Sequence, residues 1–481
     1  MRNAFHLKAL TVAIAAFSVA SAASAAGLDR SGQDVTAFFQ DGLYAETVYT
    51  YIDADVSGKD SANTNPNTNN YVAGNDTGDI AEDYDFFRYG VKADLNDTFS
   101  IGILYDEPFG AAAEYTESNF VARDGDNRDA TITALSGGAV GPNSPFGLAN
   151  FAQAQQAINT LRAGAAAGVL TPAQQAQLTA LTPLIPAIGI ADAEFQTAGE
   201  NTNVEVRSEN LTALLGVKFG PNKNFQVYGG PAAQRIQADV KLRGLAYGPA
   251  SGYTSNSNPD MDYGYVAGIA YSKPEIALKA ALTYRSEIDH DVTISEIYPL
   301  AGTVAGNPAA ANRTSEYQIT TPKSINFDFQ TGLNPTTLAT AKVRWVPWSD
   351  FSIVPPLYND VSKSRFPNGL ALVDYDDDQY QVEVGIAKRL APALAVSGTV
   401  GWDSGAGDPT TSLGPIEGYY SVGLGAKYNV TPEWAISAGG KYLWFGDAQG
   451  RLPSGKIVAD FEDNDGFILG AKISYQAKQG F

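Results

Sequence analysis

The strongest constraint on this chain is an unbroken alternation at its carboxyl end. Phe467, Leu469, Ala471, Ile473, Tyr475, Ala477, Gln479 and Phe481 fall on one face; Ile468, Gly470, Lys472, Ser474, Gln476, Lys478 and Gly480 fall on the other. A period of two over this length specifies an extended strand with one apolar and one wetter side. The edge strand of a soluble sandwich would carry the same pattern. The amino terminus and the loop lengths separate that reading from a membrane barrel.

Residues 1–25 read as an export signal. Arg2 and Lys8 supply the positive start, residues 10–20 a short apolar run, and Ala23-Ser24-Ala25 a small-x-small cleavage site. The mature chain is then expected to begin at Ala26-Gly27. The apolar run is too short for a helical span, and no later stretch is expected to be long and apolar enough. A membrane protein with this sequence must cross as a closed barrel, because only helices and barrels satisfy every backbone group in lipid. The chain has no cysteine, which excludes a disulfide framework and thiolate chemistry. Its formal charge of −20 argues against nucleic acid as a partner. A hydrophobic content of 44% is ordinary for a soluble chain, and equally for a barrel in which only alternate residues meet lipid.

Alternation marks fourteen segments: 44–56, 84–95, 99–109, 204–219, 224–243, 262–272, 276–292, 323–333, 337–351, 379–390, 394–402, 417–428, 434–445 and 466–481. The fold class predicted is an all-β transmembrane antiparallel barrel spanning residues 44–481. Short turns, such as Lys273-Pro274-Glu275 and Ala391-Pro392-Ala393, alternate strictly with long links such as 110–203 and 293–322. That rhythm places every short turn at one rim and every long loop at the other. Within strands, Ala339, Ala341, Val343 and Trp345 oppose Lys342 and Arg344, and Tyr380, Val382, Val384 and Ile386 oppose Gln381 and Glu383. A Lys or Arg at the lipid midplane costs about 2–4 kcal/mol, so the charged face is expected to point inward. Trp345, Trp348, Trp402, Trp434 and Trp444 all fall at predicted strand ends, where an interfacial girdle would put them.

Two segments are not wall. Residues 26–43 precede the first strand, carry Val35, Phe38 and Phe39, and are long enough to fold into the lumen as a small hatch; a loose tail is the alternative. In the 110–203 loop, Phe151, Ala154, Ile158 and Leu161 recur at helical spacing. Thr171-Pro172-Ala173-Gln174 then forms a capping box with Pro at the first helical position. Leu178, Leu181 and Ile185 follow on one face, and Pro183 and Pro186 are expected to end this helix. The pair of helices is either a greasy docking surface or a lid packed on its own loop.

With these features the chain resembles the outer-membrane long-chain fatty acid and hydrocarbon transporter family (FadL/TodX type). The resemblance rests on Ala26-Gly27, on Pro108-Phe109-Gly110 after the third strand, on the helical loop, and on the stretch from Ala341 to Ser349 in the ninth strand. A strand ending in an aromatic likewise resembles the closing strand of outer-membrane barrels, which would make Phe481 the contact for barrel-assembly machinery. The resemblance implies uptake of long hydrophobic molecules by a monomer through a wall opened sideways at a kinked third strand. The hatch is short, and the Asn-Pro-Ala tripeptide that many members carry there is missing from it. The sequence has that tripeptide only at Asn307-Pro308-Ala309, in a long loop.

Chemistry assigns provisional roles. A fatty acid or other hydrophobic compound crossing the lipopolysaccharide surface needs a dry path, since each buried methylene contributes about 0.8 kcal/mol. Phe151, Ile158, Leu161, Leu178 and Leu181 could capture the tail, with Phe38 and Phe39 below. Arg88, Lys279, Arg285, Lys342 and Arg344 could hold a carboxylate, or be paired with acids such as Asp94, Glu287 or Glu383. Gly102, Tyr105, Pro108, Phe109 and Gly110 could form a lateral gate, since Gly and Pro mark bends in strands. The competing reading is a porin for small hydrophilic solutes. A membrane hydrolase finds no Ser/His/acid spacing. His290 is expected to be solvated at a strand end, and Asp374, Asp376, Asp377 and Asp378 to be a charged loop. No cofactor and no metal are expected.

Overall fold

The structure, a computed structural model, describes residues 28–477. The export signal and Phe481 lie outside the described residues. The wall consists of β1 Leu43–Asp55, β2 Tyr84–Asp94, β3 in two runs, Phe99–Asp106 and Gly110–Tyr115, β4 Thr202–Phe219 and β5 Phe225–Lys241. It continues with β6 (Thr254–Ser257 and Asp260–Lys273), β7 (Leu278–Arg285 and Ile288–Ile297) and β8 (Asn312–Thr321 and Ser324–Asn334). It ends with β9 Thr337–Val346, β10 Gln379–Arg389, β11 Leu394–Asp403, β12 Tyr419–Asn429, β13 Trp434–Phe445 and β14 Asp465–Ala477. Neighbours are antiparallel, and β14 returns to β1 from Leu43↔Ala477 to Asp55↔Asp465, closing a fourteen-stranded barrel.

The alternation read from β14 decides which way each residue faces. Leu469 and Ile473 are 50% and 54% exposed on the outside, whereas Lys472 is 1% exposed and points into the lumen beside Glu46. Closure removes the free edges that an open sheet would present.

Departures from the predicted strands share a cause. Residues 312–321 read as loop in the sequence yet form the outer half of β8, paired with Ile288–Ile297. The run Asn-Arg-Thr-Ser-Glu-Tyr-Gln-Ile-Thr-Thr has only Tyr317 and Ile319 as apolar residues and a polar outer face, too little alternation to mark a strand. Trp402, Trp434 and Trp444 are exposed near strand ends, but Trp348 is fully buried inside the barrel. It is not a girdle residue: its indole meets Phe109, Phe351 and Tyr375 edge-on and donates its Nε1–H to Gln379 at 2.9 Å.

The long loop 116–201 forms four helices: α1 Arg128–Leu135, α2 Phe151–Ala166, α3 Pro172–Leu181 and α4 Ile185–Gln196. The Thr171/Gln174 capping box starts α3 as read. Pro186 starts α4 rather than ending a helix, because Pro in a first turn costs no hydrogen bond. The run Pro172–Gln196 has the length and apolarity of a membrane span, contrary to the sequence expectation. It breaks at a 3₁₀ turn, Thr182–Leu184, and α4 is largely buried.

Inside, the half of the lumen towards the long loops is filled by apolar and aromatic side chains. Tyr115 stacks on Phe120 with ring centroids 4.1 Å apart, Phe120 meets Tyr247, and Tyr253, Tyr298 and Tyr358 pack edge-on. Five short strands from three loops cap this rim: Gly58–Ser61, Ala73–Asp76, Thr410–Thr411, Ala448–Arg451 and Ile457–Phe461. The acidic run is tied into the rim. Arg451 pairs with Asp374 and Asp376, and Asp378 accepts from Trp345 Nε1 and Ser349 Oγ.

Candidate functional site

The wall is interrupted between β2 and β3. Their ladder runs from Asp94↔Ser100 to Tyr89↔Tyr105 and stops there. Beyond it Glu107-Pro108-Phe109 breaks β3, since Pro108 has no N–H to offer a ladder. The outer run of β3 pairs with β4, from Gly110↔Arg207 to Tyr115↔Thr202, and residues 84–88 of β2 pair with β1. The strands rejoin at the bridge Ala81↔Ala113. The result is a slot in the barrel side. Tyr105 stands at its lower lip and Pro108, Phe109 and Gly110 along its far edge. Gly102 lies below it in an intact ladder, paired with Lys92 and Leu214, and is not part of the opening.

Residues 28–30 fill this slot. Asp29 bridges Phe109, Arg30 N–H donates to the Pro108 carbonyl at 2.8 Å, and Gly110 N–H donates to the Leu28 carbonyl at 2.8 Å. The amino-terminal segment therefore takes the place beside β3 that β2 vacates. The Arg30 guanidinium stacks on the Tyr84 ring, and Tyr84 donates to Glu107 at 2.7 Å. Gly110 makes room, because a Cβ there would collide with the Arg30 guanidinium. Arg30 Nε and Nη1 are buried without a hydrogen-bond partner.

Lumen groups hold the segment down. Arg344 donates to both oxygens of Asp29, at 2.6 and 2.8 Å. Ser31 donates to Asp106 at 2.8 Å, Ser324 to Gln33 at 2.6 Å, and Asn326 to the Gly32 carbonyl at 2.8 Å. Asp34 receives Lys342 at 3.0 Å and Arg88 at 3.4 Å. The chain then makes a 3₁₀ turn, Thr36–Phe39, whose Phe38 sits against Gly102 and Gly216, where Cβ atoms would lie 2.7 and 2.9 Å from its ring. Phe39 and Tyr228 pack beside it, while Lys279 donates to the Phe39 carbonyl and Lys92 to the Gln40 carbonyl.

These contacts redistribute the predicted roles. Arg88, Lys342 and Arg344 meet hatch carboxylates, and Lys279 a hatch carbonyl. Asp94 pairs with Lys92 and Lys218, and Glu383 with Lys441. Arg285 donates to Thr212 at 3.1 Å and keeps Nε and Nη2 without partners. The adjacent cavity, about 10 Å³, is of water size rather than headgroup size. Asp29 and Asp34 were not singled out from the sequence, although two acids in a segment expected to face lumen bases were a usable signal.

The helical loop turns its apolar residues inward. Phe151, Ile158, Leu161 and Leu181 are buried with Ile132, Leu184 and Ile188, and Leu178 packs on the edge of this cluster. A cavity of about 800 Å³ opens at the long-loop rim instead, lined among others by Ile190, Tyr247, Leu300, Val304, Leu357 and Tyr358. Those residues come from separate loops and carry no shared sequence pattern. A mostly apolar pocket of about 40 Å³ lies beside Leu28, between Val206, Val240, Leu372 and Tyr375. At the short-turn rim a space of about 330 Å³ adjoins Phe38, Phe39, Lys279 and Lys342.

No protein-family model and no curated protein matches the sequence. Solved structures do. A Pseudomonas aeruginosa FadL homologue is 15% identical with a TM-score of 0.59, over 96% of this chain and 97% of that one. The toluene transporter TodX of Pseudomonas putida is 12% identical with a TM-score of 0.51, over 92% and 91%. The chain shares the fold of these barrels.

Proposed function

We propose that this barrel sits in a bacterial outer membrane and passes hydrophobic small molecules inward without energy input. They would enter at the 800 Å³ cavity and leave sideways through the slot between β2 and β3. The observation that carries this reading is the slot itself, filled by residues 28–30 rather than by a wall strand. A lateral exit lets an apolar solute pass into lipid without crossing water, keeping the roughly 0.8 kcal/mol per methylene that hydration would cost. The outer cavity has the size of a small-molecule site, with apolar walls such as Ile190, Leu300 and Leu357; its cations are engaged, Arg313 by Asp360, Arg365 by the Pro66 carbonyl and Lys456 by the Asn63 and Asn65 carbonyls. The fold shared with the FadL homologue and the toluene transporter supports the same class of cargo. A neutral or weakly polar compound fits better than a fatty acid. Four of the five candidate bases are engaged by the hatch, and the fifth faces a water-sized space. The aliphatic and aromatic filling of the lumen disfavours a hydrophilic porin. The chain carries out no chemistry in this reading.

The absence of cysteine makes the test clean. Asp29 and Phe109 are flanked by their neighbours' hydrogen bonds, the arrangement with Cα atoms about 4.5 Å apart, within disulfide reach. The double variant Asp29→Cys, Phe109→Cys, oxidised, should hold the segment in the slot. Uptake of toluene or another monoaromatic probe by cells or proteoliposomes should fall several-fold and return on reduction. Equal uptake in both redox states would remove the lateral route.

A further inference from the structure

A second interruption of the wall lies between β6 and β7. Their ladder runs from Lys273↔Leu278 to Val266↔Arg285, and resumes only at Ser257↔Ile294. Between these points Tyr265 N–H donates to the Ser286 hydroxyl, Ser286 N–H to the Tyr265 carbonyl, and Asn258 N–H to the Thr293 carbonyl. Residues 260–264 and 287–292 face each other with no ladder pair among the described residues. Gly264 allows this, since a Cβ there would press on Ser286 and Ile288.

His290 stands in this seam. It is 0% exposed, not solvated as the sequence suggested, and its Nε2 lies 3.1 Å from Gln234 Oε1. Gln234 Oε1 also accepts from Thr321 Oγ1 at 2.7 Å. An amide oxygen offers no proton, so Nε2 must carry one, and in the neutral ring Nδ1 is then the lone-pair nitrogen. That Nδ1 is buried and has no hydrogen-bond partner. It points at Asp260 Oδ2, 3.7 Å away and itself without a partner. A carboxylate of Asp262 completes a group whose donor atoms all lie within 4.8 Å of one another. Asp289 and Asp291, the next carboxylates, instead accept from Thr320 and Gln318 across β8.

We propose that Asp260, Asp262 and His290 bind a divalent transition-metal ion, of the zinc, cobalt or nickel type, that fastens the β6–β7 seam. Two electron-rich atoms 3.7 Å apart cannot hydrogen-bond, but one ion with bonds of about 2.0–2.2 Å reaches both. One imidazole nitrogen with carboxylate oxygens suits borderline metals better than calcium or magnesium, which take oxygen. The Gln234 contact to Nε2 is the outer-shell partner that fixes the tautomer of a metal-binding imidazole. The ion would add a cross-link where, among the described residues, the strands share no ladder pair and only the Asp291 N–H, donating to Asp262 Oδ2 at 3.4 Å, spans the seam, independently of any cargo.

The sequence supplies an unusual control. It has two histidines, His6 in the leader and His290, and no cysteine. In the untagged mature barrel in detergent, imidazole-ligated metal can only report His290. Zinc titration by calorimetry should give one saturable site per barrel at micromolar concentration or tighter. Copper(II) bound there should show hyperfine coupling to a single imidazole nitrogen. His290→Gln and Asp260→Asn should each weaken zinc at least tenfold while the barrel keeps its heat-modifiable migration. Loss of saturable binding in the parent protein, or binding unchanged in both variants, would overturn the proposal. Zinc binding without the nitrogen signature of copper would do the same, because it would point to surface carboxylates only.

Discussion

Arg344 of β9 grips both carboxylate oxygens of Asp29 at 2.6 and 2.8 Å, and both side chains are nearly inaccessible, at 4% and 3%. The barrel wall thus holds its own amino-terminal segment in the slot by a buried, bidentate ion pair. Removing one member of such a pair leaves an uncompensated charge and costs about 3–5 kcal/mol. Arg344→Met should therefore release residues 28–34 while the barrel stays folded. Hydrogen exchange, or limited proteolysis near residues 28–34, should report the loss of protection. Protection equal to the parent would mean that the remaining anchors, Asp34 above all, suffice.

Gly102 tests the second anchor. It was proposed as a gate residue, but it lies under the Phe38 ring in a continuous ladder. Gly102→Val should push Phe38 out of its seat and open the short-turn rim. Single-channel steps in planar bilayers, small or absent in the parent, should become larger. Unchanged conductance would show that Phe38 is not the closure.

The outer cavity makes a prediction about affinity. Val304 lines it and is half exposed, so the fold tolerates change there. Val304→Asp should remove roughly 1.5 kcal/mol of apolar contact, a loss of about tenfold in affinity for an apolar probe. Fluorescent-ligand competition on the purified barrel would measure it. Full affinity in the variant would move the entry site elsewhere.

Glu417 predicts a pH dependence at the rim. Burial raises its pKa from 4.5 to about 7, although the Ala406 and Gly407 N–H groups it accepts from pull it down. A carboxyl group whose folded pKa lies above its unfolded one binds protons more tightly when folded. Its loop contact is therefore unimpaired below about pH 4.5, weakens as pH rises through that interval, and bears the full cost above about 7. Hydrogen-exchange protection across residues 404–418, taken relative to the base-catalysed intrinsic rate at each pH, should be higher at pH 5 than at pH 8. Glu417→Gln should flatten that difference, and a difference that survives the substitution would assign it to another group.

Legibility in the sequence followed exposure to lipid. Where a strand crosses the apolar band, as in β14 or β10, every second residue must be apolar, and the strand, its facing and its inward charges could all be read. Where the outer face is polar the constraint disappears, so the outer half of β8 passed for loop. Trp348 shows the same limit from inside: an aromatic at a strand end suits a girdle and a buried core equally well, and only its neighbours distinguish them.

The chain by itself determined a closed barrel of fourteen strands, its short-turn and long-loop rims, and a capped helix beginning at Pro172, because those features are set by local periodicity and turn chemistry. The tertiary structure alone decided what the inward residues do. Arg344 meets Asp29 across 315 positions of sequence, and His290 meets Asp260 across a seam that no local pattern marks. Such pairings depend on register around the ring and on where a ladder breaks, and neither leaves a periodic trace in the residues.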